Sequence, residues 1–112
     1  MSSILKAQKS LFKNLENCDN LQSYILENDY EVKNKYIENL NLENVELEEV
    51  KYEAVEFKNV NIINSNMEGN SFKDCIFNNC NFANTKFESS FLVRCEFYNC
   101  KFAGCNFIDS RL

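Results

Sequence analysis

From Leu40 to Leu112 the chain repeats every five residues. Read from Asn41, the second residue of each quintet is large and apolar: Leu42, Leu47, Tyr52, Phe57, Ile62, Met67, Phe72, Phe77, Phe82, Phe87, Leu92, Phe97, Phe102, Phe107 and Leu112. The fifth is small or β-branched. It runs through Val45, Val50, Val55, Val60, Ser65, Asn70, Cys75, Cys80, Thr85, Ser90, Cys95, Cys100, Cys105 and Ser110. The register never slips. A period held over this length marks a repeat architecture and outranks local propensity.

Five matches neither of the common periods. An α-helix would smear these apolar residues around its circumference. A flat strand would throw every second one onto the wrong face. The pattern suits a chain that turns a corner after each quintet and sends its large and corner residues inward. The other three positions, mostly Asn, Glu, Lys and Ser, then face water. Only Gly69 and Gly104 interrupt as glycines, and proline is absent. Asn is expected to turn the corners, because it tolerates left-handed backbone and bonds its own main chain.

At Val60-Asn61-Ile62, Cys80-Asn81-Phe82 and Cys105-Asn106-Phe107 the order is a small residue, Asn, then a large apolar residue, with two free positions following. Repeated in this way, it resembles the pentapeptide-repeat proteins over about two thirds of the chain. The resemblance implies an all-β solenoid, a right-handed quadrilateral β-helix. Four corners would close one coil, residues twenty apart would stack, and coils would lie ~4.8 Å apart. It also implies a class of partner. Well-known members are bacterial factors that protect DNA gyrase and topoisomerase IV from quinolones, with the width and negative surface of duplex DNA.

Residues 1–39 read differently and are expected to form a small N-terminal α-helical cap on a solenoid of residues 40–112. Ile4, Leu5, Ala7, Leu11, Phe12 and Leu15 recur at helical spacing, which predicts a helix from Ser3 to Glu16. Cys18-Asp19-Asn20 breaks it, and Leu21, Tyr24, Ile25 and Leu26 suggest a second short helix. Residues 29–39 fit helix, extended chain or loop. A cap would cover the unpaired backbone at a solenoid end. The alternative is a helix that binds a partner or a membrane surface. At the other end, either the chain is truncated from a longer protein or its bare last coil pairs with a second copy as a homodimer.

The net charge of −5 argues against direct binding to nucleic-acid phosphates and favours a basic, DNA-binding protein as partner. No apolar run is long enough to span a bilayer, and no signal-peptide core is recognisable, so a cytoplasmic location is expected. The sequence holds no His, no Gly-rich phosphate loop and no grouping of nucleophile, base and orienting residue. The expectation is a non-catalytic protein without cofactor or metal. Cys75 and Cys80 should stack under Cys95 and Cys100. Packing as small hydrophobes, disulfide bonding and zinc binding are the three readings of these thiols.

Stacking residues twenty apart assigns the outer faces. One is acidic, with Glu46, Glu48, Glu49, Glu68, Glu88 and Asp109, and with Lys86 as near counter-charge. Glu48, Glu68 and Glu88 should form a column. The next face mixes Lys51, Lys73, Arg94 and Arg111 with Glu53 and Asp74. Asn44, Asn64 and Asn84, and separately Asn59, Asn79 and Asn99, should stack as amide columns. Ile63 and Ile108 are expected as single outward apolar residues. Ile76, Phe91, Val93 and Tyr98 are expected to point outward together as a contact patch. Two functions follow: a DNA mimic for gyrase or topoisomerase IV working through the acidic face, or a structural or self-associating scaffold with a protein partner.

Overall fold

The computed structural model describes residues 16–17, 20–108 and 110–111. The expected helix from Ser3 lies outside them except for its last residue. Glu16 belongs to a short strand, β1 (Glu16–Asn17). Cys18 and Asp109 also lie outside.

Helix α1 (Leu21–Glu27) is the second helix expected from the sequence. The Asn20 side chain accepts the Ser23 N–H at 3.2 Å, which satisfies one of the free donors at a helix start. Leu21 and Ile25, one turn apart, bury their side chains in the same core as the repeats.

Beyond α1 the chain is strand and corner: β2 (Glu31–Lys33), β3 (Lys35–Glu43), β4 (Lys51–Glu53), β5 (Glu56–Ile63), β6 (Ser71–Lys73), β7 (Ile76–Asn78), β8 (Phe91–Val93) and β9 (Glu96–Tyr98). All pairing between named strands is parallel. One sheet has the order β1-β3-β5-β7-β9 and the other β2-β4-β6-β8. Glu31 pairs with Lys51, Lys51 with Ser71 and Ser71 with Phe91, so one coil takes twenty residues. Two further columns are held by isolated bridges, Asn61 to Asn81 to Lys101 and Glu46 to Asn66 to Lys86 to Asn106. These are the four walls of a quadrilateral β-solenoid.

The pairing crosses the expected boundary at Leu40. Val32 and Ile37, both fully buried, continue the rung backward in steps of five, and Asn34 and Asn39 continue the corner position. The signal was present in the sequence. It was obscured because Lys35 and Leu40 stand where later quintets place a small residue.

Every described fourth residue of a quintet, from Asn34 to Gly104, has positive φ, between 51° and 75°. This left-handed backbone turns each corner. It suits Asn and Gly and costs other residues about 1–2 kcal/mol, which explains the Asn-rich composition. The first residue of a quintet also helps. Asn66, Asn81 and Asn106 each accept, at 3.0 Å through Oδ1, the N–H two residues ahead.

Inside, the rung residues stack coil on coil. Phe57, Phe77 and Phe97 form a column with centroids 4.7 Å apart at both steps and nearly parallel rings. Adjacent columns meet edge-on, as between Phe72 and Phe77 at 5.4 Å and 68°. Both arrangements suit the ring quadrupole.

The corner residues do more than fill space. Thr85 Oγ1 donates to the Ile62 carbonyl at 2.8 Å, and Ser110 Oγ to the Phe87 carbonyl at 2.6 Å. Cys80, Cys95 and Cys100 reach the equivalent carbonyls of Phe57, Phe72 and Phe77 at 3.4–3.5 Å. Polar corners also accept from the coil below: Ser65 from the Val45 N–H at 3.1 Å, Asn70 from Val50 at 2.9 Å and Thr85 from Ser65 at 3.3 Å. A quintet pattern records side-chain volume and is blind to these bonds.

Candidate interaction surface

The acidic wall is built by the bridge column Glu46, Asn66, Lys86 and Asn106. Its register is fixed by Leu47 N–H to Asn66 C=O at 2.8 Å, Glu49 N–H to Glu68 C=O at 2.9 Å and Gly69 N–H to Glu88 C=O at 2.8 Å. Glu48, Glu68 and Glu88 therefore stand one above another, each half-buried, with Glu46 and Glu49 exposed beside them. Two of the column carboxylates are tethered. Glu48 Oε2 accepts Asn66 Nδ2 at 2.7 Å, and Glu88 Oε2 accepts Asn106 Nδ2 at 3.0 Å. Such neutral donors orient the carboxylates without cancelling their charge. Lys86 is exposed on the same wall.

Gly69 has a spatial reason beyond its φ of 72°. A Cβ there would meet Glu49 Oε2 at 2.5 Å. A larger residue would displace a carboxylate from the wall.

On the β2-β4-β6-β8 wall, Asp74 is buried and takes a two-point contact from Arg94, one coil above. Nε lies 2.6 Å from Oδ1 and Nη2 lies 3.1 Å from Oδ2. Hydrogen bonding to Asp74, reinforced by its charge, holds the Arg94 guanidinium above its ordinary range. The paired fork offsets one of the four cations expected on this face.

Of the expected apolar patch, Phe91 is 47% exposed, Val93 42% and Tyr98 44%. Ile76 does not join them. It is 1% exposed, although it holds a wall position. In the parallel ladder it lies between Glu56 below and Glu96 above, so a neighbour stands on both sides of it. The Tyr98 hydroxyl donates to Glu96, which pushes its pKa up. Ile108 is exposed as expected, and Ile63 is half-buried.

The amide columns differ. Asn59 Nδ2 donates to Asn39 Oδ1 at 3.2 Å and Asn79 Nδ2 to Asn59 Oδ1 at 2.7 Å, so this ladder bonds from Asn39 to Asn79. A parallel ladder, missed in the sequence, joins Asn61 to Asn41 at 2.6 Å. In the other expected column, Asn64 turns aside and donates to Glu43 at 3.2 Å.

Among the described residues, no three His, Cys, Asp or Glu side chains converge as a metal site, and no helix is long and apolar enough to cross a membrane.

Residues 75–112 match the pentapeptide-repeat family model in 8 copies. Among solved structures the chain is similar to QnrB1, a plasmid-mediated fluoroquinolone resistance protein. The identity is 21% and the TM-score 0.65, with 85% of this chain and 44% of that one covered. A second QnrB1 structure gives 18% identity and a TM-score of 0.39, covering 87% of this chain and 50% of the other. Rfr23, a pentapeptide repeat protein from the cyanobacterium Cyanothece 51142, gives 9% identity and a TM-score of 0.33, covering 82% and 99%. The first likeness is one of fold, and the chain spans less than half the length of that QnrB1 structure. No curated protein matches.

Proposed function

We propose that this pentapeptide-repeat chain is a non-catalytic interaction module whose acidic wall imitates a DNA strand toward a DNA-binding protein, with DNA gyrase or topoisomerase IV as the partner class. The observation that carries this reading is the in-register column Glu48, Glu68 and Glu88, flanked by Glu46 and Glu49. Asp109 falls on the same expected face in the sequence, in the twenty-residue series of Glu49. The coil repeat of ~4.8 Å compares with ~3.4 Å between phosphates along one strand. The imitation is thus one of sign and linear order rather than of pitch. The fold shared with QnrB1, a fluoroquinolone resistance protein, fits this reading. Such a role belongs in the cytoplasm.

The test is gyrase supercoiling with and without a fluoroquinolone, at micromolar chain. Inhibition of supercoiling, or relief of the drug, is expected. Unchanged supercoiling in both arms, together with no binding to gyrase, contradicts the reading.

A second reading rests on a different observation. Phe91, Val93 and Tyr98 expose apolar surface on two neighbouring walls. This favours a scaffold that docks a protein partner there. Phe91→Ser would then weaken the partner without unfolding the chain, whereas unfolding would contradict the outward assignment.

A further inference from the structure

Two pairs of thiols stand one coil apart at successive corners. Cys75 lies beneath Cys95, because Lys73 pairs with Val93 on one side of the corner and Ile76 with Glu96 on the other. Cys80 lies beneath Cys100 by the same logic, between the Asn78–Tyr98 and Asn81–Lys101 pairings. Neighbours in such a ladder are about 4.8 Å apart, inside the Cα range a disulfide can span. All four thiols are free.

Cys75 and Cys95 differ in access. Cys75 is fully buried. Cys95 is half-buried and lines an apolar concavity of about 500 Å³ together with Leu92, Arg94, Phe97, Phe102 and Phe107. Among the described residues, Cys95 is thus the more accessible of the two.

Three fates compete for the pair. Holding a soft metal ion requires thiolates. Burial pushes the Cys75 thiol well above its ordinary range. The carbonyl oxygens of Tyr52 and Lys73, 3.7 and 3.5 Å from its sulfur, would also face the negative charge. Inert packing describes Cys75 but not a half-exposed Cys95. A disulfide leaves a neutral group in the same dry corner.

We propose that Cys75 and Cys95 are an oxidation site, at which a peroxide closes a reversible bridge between consecutive coils. The Cys75 hydrogen bond lowers the Cys95 pKa, against burial and the Asp74 charge, which raise it. The Cys95 thiolate attacks one oxygen of hydrogen peroxide. The O–O bond breaks, Cys95 becomes a sulfenic acid, and the departing hydroxide takes up a proton to become water. The Cys75 sulfur then attacks the Cys95 sulfur, the S–O bond breaks, and the hydroxyl leaves as a second water with the Cys75 proton. Two thiols and one peroxide thus give one disulfide and two waters. The bridge draws the two corners a few tenths of an ångström together, since Cβ atoms in disulfides lie about 3.5–4.5 Å apart. It ties the coil bearing Arg94 and Val93 to the one beneath.

The test uses the full chain, reduced and then exposed to about one equivalent of hydrogen peroxide, a dose set by the balance above and by the preference of peroxide for an accessible thiolate. Remaining thiols are alkylated after unfolding, and the peptides are mapped by mass. The expected product is a Cys75–Cys95 cross-link, lost on treatment with a thiol reductant, with Cys80 and Cys100 recovered alkylated. In Cys75→Ala the same dose should leave Cys95 as a sulfenic acid that dimedone traps. The wild-type map decides even if that variant does not fold. A bridge that forms first at Cys80 and Cys100, or that joins Cys95 to another cysteine, overturns the proposal. So does wild-type Cys95 oxidised to sulfinic acid while Cys75 remains alkylatable.

Discussion

The inside and the outside of this tube share one twenty-residue register, yet the register constrains them differently. Inside, Phe57, Phe77 and Phe97 stack at 4.7 Å and leave little freedom of size or position. Outside, the same register places Glu48, Glu68 and Glu88 in a line without requiring any of them for packing. Position is dictated on both surfaces, but chemistry is dictated only within. Residue types on the wall are therefore where selection for a partner can act.

Substitutions can break or sharpen this contrast. Phe77→Ala removes a ring sandwiched between two others in a closed core, and should cost about 3–5 kcal/mol. Glu68→Gln on the wall should stay within about 0.5 kcal/mol. Urea melts of both variants measure the gap, and equal losses would erase the distinction. Thr85→Val keeps the corner's shape but strands the Ser65 N–H and the Ile62 carbonyl. Leaving buried polar groups unpaired costs about 1–3 kcal/mol each, so a neutral result would mean the corner bonds are incidental. Glu49→Gly relieves a left-handed residue at φ 60° and should raise stability by about 1 kcal/mol. That gain would show that the corners, unlike the open wall, retain a backbone demand.

The smallest effect is a slope against pH. Burial pushes the Cys80 thiol from 9.0 to about 12. Below pH 9 it is neutral in both folded and unfolded chains, and its contribution is fully present. Above pH 9 the unfolded chain ionises first, so stability falls as pH rises toward about 12. Melting temperatures across that window should fall less steeply in Cys80→Ala than in wild type. Parallel slopes would place this thiol outside the dry interior.

The rungs were legible in the sequence because a period of five reports volume and direction at once. The corner Asn residues were legible as turn formers because Asn tolerates left-handed backbone. The corner bonds were not, since Val50, Cys80 and Thr85 look alike to a pattern built on size. The acidic column became readable once four corners per coil were adopted. The burial of Ile76 was not legible, because a quintet does not report which residues stand one coil up and down, here Glu56 and Glu96. The start of the solenoid was misplaced because Val32 and Ile37 keep the rung while Lys35 breaks the corner rule.

On the proposed reading the core makes the tube and the acidic wall makes the contact. The most direct measurement is gyrase binding by the triple variant Glu48→Gln, Glu68→Gln, Glu88→Gln, compared with wild type at matched salt and with melting curves for both. The account predicts an unchanged melt and lost binding. A variant that binds as tightly as wild type, or that loses binding only because it unfolds, contradicts it.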